Sequence, residues 1–189
     1  MPPNRMLPDY TQLVVIPAIT PLQVEHLLAE VAAYIEERRA MYLPRAEPIS
    51  AENRARLVIH FPESVLDSTR FLRVRALKNP VFYSELERMG FSNLPQFRRM
   101  AAITYIDIVV AQEEFTPALL FHELVHVVQY RQLGLARFAE VYVRGFLETG
   151  EYLSVPLERI AYHLEDMFRL RPDLKIEVEK QAINFRLPV

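Results

Sequence analysis

A buried helix is the strongest constraint this chain places on its own fold. Thr116 followed by Pro117 is an N-cap with proline at the first helical position, and Gly134 stands where a C-terminal glycine would stop a helix of about 17 residues. Between them Leu119, Leu120, Leu124, Val127 and Val128 are apolar, so the spacing predicts a helix largely covered by other elements. The remaining chain must therefore be arranged around this segment.

Its centre reads Phe121-His122-Glu123-Leu124-Val125-His126. Residues four apart on a helix are separated by about 400° of rotation and about 6 Å of rise, so both imidazoles project from nearly the same face. They can reach one ion. Zinc suits the pair, because it accepts neutral imidazole nitrogen at about 2.0–2.1 Å and tolerates a tetrahedral site with one position left for water. Glu123 is placed to take a proton from a metal-bound water. The plainer alternative is that both histidines are satisfied core residues and Glu123 a surface acid.

A catalytic zinc usually has three protein ligands. The chain has no cysteine, so the third must be another histidine or a carboxylate. The longer HExxHxxGxxH pattern is absent, since Gln129 and Gln132 occupy its glycine and histidine positions. Among the downstream acids Glu158 is best placed. It lies in the first turn of a helix opened by Pro156, where the helix dipole also favours a carboxylate. A solvated acid at a helix start would look the same.

From Ala101 to about Phe168 the chain resembles the gluzincin-type zincins, on LLFHELVHVVQYRQLG, a further helix, and VPLERIAYHLE. Bacterial peptidase-like proteins with HELxHxxQ are similar. The resemblance implies zinc held by His122, His126 and Glu158, with AAITYIDIVV as the strand bordering the active-site cleft. It also implies a peptide or protein substrate that could pair with that strand through its backbone. The best-known members carry an aspartate four residues after the ligand glutamate, where this chain has Tyr162; Asp107 or Glu165 is left to orient a histidine. Tyr162, His163 and Tyr105 are candidates to stabilise a developing oxyanion, with Tyr162 preferred because it lies one turn beyond Glu158. Gln129, one turn after His126, is a candidate to support the ligands or merely a polar residue on a helix rim.

The expected fold is a single α+β, zincin-like domain over residues 1–189, with a small sheet beside a helical half and the HExxH helix at its centre. Residues 1–20 read as an extended arm with a possible short strand over Leu13 to Ile16, and 101–168 as the catalytic core. Helices are expected from Pro21 to about Arg39, over Tyr83 to Arg88, from Leu135 to Glu148 and from Pro156 to about Phe168. Strands are expected over Arg56 to Phe61 and Ala102 to Ala111. Pro62 to Leu72 fits neither period, and Lys175 to Phe185 stays open between strand and helix.

A formal charge of −2 gives no reason to expect nucleic acid or an anionic membrane as partner. No sustained apolar run approaches the roughly 20 residues of a membrane span, and the first 21 residues lack the pattern of a secretory signal, so a cytoplasmic protein is expected. The function expected is zinc-dependent hydrolysis of a peptide or amide bond through Glu123. The alternative is a zincin-fold protein that holds zinc without catalysis, as a binding or regulatory module.

Overall fold

The computed structural model describes residues 16–185. The expected amino-terminal arm and the strand at Leu13 lie outside them but for Ile16 to Thr20, which have no regular structure. Helix α1 (Pro21–Tyr42) begins as its sequence predicts. The Thr20 hydroxyl accepts from the Gln23 amide while the Gln23 side chain accepts from the Thr20 amide, a reciprocal cap. It runs past Arg39 to Tyr42 before the turn at Leu43–Arg45.

Two short helices follow, α2 (Ala51–Leu57) and α3 (Glu63–Ser68). The expected strand over Arg56 to Phe61 is not formed: these residues complete α2 and the turn after it. The Ser50 hydroxyl caps α2 by accepting from Asn53, and the apolar spacing of Leu57, Phe61 and Val65 serves a helix–turn–helix edge of the core. The undecided segment Pro62 to Leu72 is α3 followed by the start of strand β1 (Arg70–Arg73). Helix α4 (Tyr83–Arg88) lies where the sequence predicts it.

Instead of one long strand over Ala102 to Ala111, the chain forms a hairpin of β2 (Ala102–Tyr105) and β3 (Ile108–Ala111). Its turn places Ile106 at φ 64°, a conformation costly for a β-branched side chain and one that no sequence cue announces. Arg39 grips the adjacent Asp107 through Nε and Nη2, which donate to its two carboxylate oxygens at 2.5 and 2.8 Å, and so ties the turn to α1. The sheet order is β1-β3-β2, with β1 parallel and β2 antiparallel to β3. All four β3 residues are buried because helices cover both faces. Val109 and Ala111 face one apolar cluster, Ile108 and Val110 the other.

Helix α5 (Pro117–Thr149) crosses both clusters. The expected break at Gly134 is present as a bend, with φ 72° and ψ 164°, a region open in practice only to glycine. Before it, Leu120, Phe121, Leu124 and Val128 pack in the first cluster; after it, Phe138, Val143 and Phe146 pack in the second. Helix α6 (Pro156–Leu170) lies against α5, and the short α7 (Val178–Gln181) resolves the ambiguous carboxy-terminal stretch as helix. The architecture is α+β, with a three-stranded sheet among helices. No helix among the described residues is long and apolar enough to cross a membrane.

Candidate metal centre

His122 and His126 lie in the first half of α5, one turn apart, and Glu158 in the first turn of α6; each is 4–5% exposed. The two Nε2 atoms are 3.2 Å apart, and each is 3.5 Å from Glu158 Oε2. Two nitrogens and one oxygen thus form a nearly equilateral triangle.

The outer faces of the rings are committed elsewhere. His122 Nδ1 lies 3.1 Å from Glu165 Oε2, whose other oxygen accepts from Arg169 at 2.7 Å. His126 Nδ1 lies 2.7 Å from the Gln129 carbonyl oxygen, and the Gln129 amide donates to the carbonyls of Leu157 and Ala182 at 3.1 and 2.9 Å. Because the amide nitrogen serves two carbonyls, its oxygen must face His126, which makes His126 Nδ1 the donor. The carboxylate of Glu165 makes Nδ1 of His122 the donor in the same way. In the neutral rings both Nε2 lone pairs therefore point inward, at a Glu158 oxygen that is buried with no hydrogen-bond partner.

Three acceptors facing one another in a dry site repel unless a cation lies between them. Ligands at about 2.0–2.1 Å around a tetrahedral ion are separated by about 3.3 Å, close to the spacing found here. The His122, His126 and Glu158 group could hold a metal ion.

Without a metal ion, a proton on an imidazole takes the cation's part. Burial disfavours a charged His122, yet contact with Glu158 and Glu165 and the charge of Glu123 raise its pKa to about 10. Burial likewise opposes ionisation of Glu158, but the neighbouring His126 and His122 hold its carboxyl well below the usual range. The pocket is built to keep positive charge beside a carboxylate.

Glu123 is also buried, and its Oε2 accepts a 2.7 Å hydrogen bond from the Thr104 hydroxyl on β2. Beside it opens a cleft of about 1440 Å³, lined by His122, Glu123, Tyr162 and Glu165. Tyr162 stacks obliquely on His122, with ring centroids 4.5 Å apart. The other candidates lie elsewhere. His163 is exposed on the far side of α6, Tyr105 is buried in an aromatic group with Tyr34 and Tyr42, and Asp107 is held by Arg39 at the hairpin turn. Of the two acids left to orient a histidine, Glu165 is the one that does so.

Thr104 and Tyr152 have no counterpart in the sequence reading. Thr104 is the only aliphatic hydroxyl in its strand, two residues from Ala102 and so on the same face, which is a weak signal. Tyr152, in the turn at Tyr152–Ser154, borders the cleft; desolvation and the charge of Glu158 push its phenol well above the ordinary value, so it stays a donor. Nothing in the local sequence marks it.

No family model matches the chain, and no curated protein or solved structure matches it.

Proposed function

We propose that this chain is a zinc-dependent metallopeptidase with a gluzincin-like centre, hydrolysing a peptide or amide bond. The observation that carries the reading is the convergence of His122, His126 and Glu158 with a further buried acid, Glu123, that is not needed to complete the triangle. Zinc suits a site of two imidazoles and one carboxylate, and when bound it makes water nucleophilic near neutral pH and polarises a carbonyl.

The protein's own groups supply the rest. Glu123 takes the proton from the attacking water and returns it to the leaving amine, with Thr104 holding the carboxylate in position. Tyr162, on the cleft wall against His122, donates to the developing oxyanion. Strand β2 is an edge of the sheet and Ala101 and Ala102 line the cleft, which supports an extended peptide binding along it by backbone pairing.

The test joins metal content to turnover. Protein purified without added metal is expected to hold one zinc per chain and to cleave members of a peptide library. Glu123→Gln should keep the zinc and lose cleavage by at least about 100-fold, the usual scale for general-base removal. Zinc retention with no cleavage by the wild type would favour the non-catalytic zinc-binding reading, and absence of zinc would remove both.

A further inference from the structure

A second cavity adjoins the cleft and shares Glu123 with it. It has a volume of about 150 Å³ between α1, the loop after α4, the sheet and the second half of α5. Leu27, Tyr34, Phe97, Tyr130, Phe138 and Val143 form much of its wall. The polar exceptions, tyrosine hydroxyls aside, are Thr104, Glu123, His126 and Glu158. Its only charged and metal-ligating groups therefore belong to the metal centre.

A void of about this size with an apolar lining takes a benzene molecule, whereas one without several polar partners does not hold ordered water well. The cavity and the cleft also adjoin. Ala102, Glu123 and Tyr152 line both, so a ligand in the cleft with its reacting bond at Glu123 has the cavity mouth within one side chain's reach. Filling a preformed apolar pocket beside a few placed polar groups is the usual way such a site selects its ligand.

We infer that the cavity receives a bulky apolar side chain, aromatic or branched aliphatic, flanking the bond that is cleaved. This rests on the metallopeptidase reading and names the substrate class for it. Neither a charged side chain nor a small one suits the cavity: the first meets no counter-ion beyond the metal centre, and the second leaves it void.

Two hydroxamates test it on the zinc-loaded protein, because both carry the same metal-binding head. Acetohydroxamate has only a methyl group; 3-phenylpropanohydroxamate adds a flexible phenyl. Burying the phenyl is expected to tighten binding roughly 10- to 100-fold. Ala139→Leu, which fills the cavity from α5, should cut that gain below about threefold with zinc content unchanged. Val31→Phe fills it from α1 and serves should the first variant not fold. Equal affinity of the two compounds for the wild type, or a gain that persists in both filled variants, overturns the inference while leaving the metal centre standing. If neither compound binds, the metallopeptidase reading fails and the inference falls with it.

Discussion

Gly145 and Pro156 meet so closely that a methyl group on the glycine would lie 2.5 Å from the proline ring. This contact holds the start of α6 against α5, and with it Glu158, two residues on, in the candidate metal centre. Gly145→Ala must push α6 away, because the obstacle is a rigid ring next to backbone. The variant is expected to lose about 1–3 kcal/mol of stability. It should also bind zinc at least tenfold more weakly, measured by competition with a chromogenic chelator. Unchanged affinity would show that Glu158 is positioned by other contacts.

Gln129 joins the same two helices by hydrogen bonds, linking His126 to the carbonyl before Glu158 and to Ala182 beyond α7. Gln129→Leu fits the space but leaves two buried carbonyls without partners and His126 free to turn. Zinc affinity should fall about 10- to 100-fold, as it does when an orienting partner is lost. Stability of the metal-free protein should drop by about 1–3 kcal/mol, read by urea titration. Retained affinity with lowered stability would confine Gln129 to a packing role.

Zinc should raise the melting temperature. A ligand at 100 times its Kd adds about 2.7 kcal/mol to a native state that alone binds it, worth roughly 5–10 °C for a chain of this size. Glu158→Gln should reduce the rise sharply. Scanning calorimetry with zinc and with a chelator gives the comparison, and identical transitions in the two would rule out a specific site.

His60, which is not one of the candidate metal ligands, gives a separate pH dependence. Its Nε2 donates to the Pro172 carbonyl at 3.0 Å, while Nδ1 accepts the Ile176 amide at 3.2 Å, an arrangement that needs the neutral ring. Burial lowers its pKa below 6.5, and the Pro172 bond opposes this only in part. The unfolded chain therefore binds this proton more readily, so the stabilisation is complete above pH 6.5 and is lost as the pH falls through the folded-state value. NMR titration of the ring should place its pKa under 6.5. The stability difference between wild type and His60→Gln should shrink from pH 7.5 to 5; a difference that grows would refute the assignment.

At Gly134 the reason for glycine is conformation and not space, since an added Cβ meets nothing within 4 Å. Gly134→Ala is expected to cost about 1–3 kcal/mol through backbone strain alone. Gly134→Asn should cost no less, because ψ 164° lies outside the left-handed helical region that asparagine tolerates. A neutral alanine variant would mean that the bend relaxes into continuous helix.

The parts of this molecule legible in its sequence are those whose cues are local. Thr116 with Pro117, Thr20 with Pro21 and Gly134 mark helix ends by their own chemistry, and the four-residue spacing of His122 and His126 puts both rings on one face. Glu158 was legible because Pro156 fixes the register of its helix. The hairpin was hidden inside AAITYIDIVV because its turn uses Ile106 and Asp107 without glycine or asparagine, and the conformation is held from a distance by Arg39. Likewise the end of α2 and the turn after it read as a strand because Val58, Ile59 and Phe61 are β-branched or aromatic, although Ser50 caps a helix just before them. Thr104 and Tyr152 reach the site through tertiary contacts, so the chain announces Thr104 only weakly, by its place in the strand, and Tyr152 not at all.

The angle at Gly134 divides the labour along a single helix. Ahead of it sit the imidazoles; behind it sit Phe138, Ala139 and Val143, which shape the neighbouring hollow. On the proposed reading, replacements at Ala139 or Val143, unlike one at Gly145, would alter which side chain is admitted while leaving the imidazoles in place. If the proposed hydrolysis is right, selectivity is free to drift over generations while the reaction itself stays fixed.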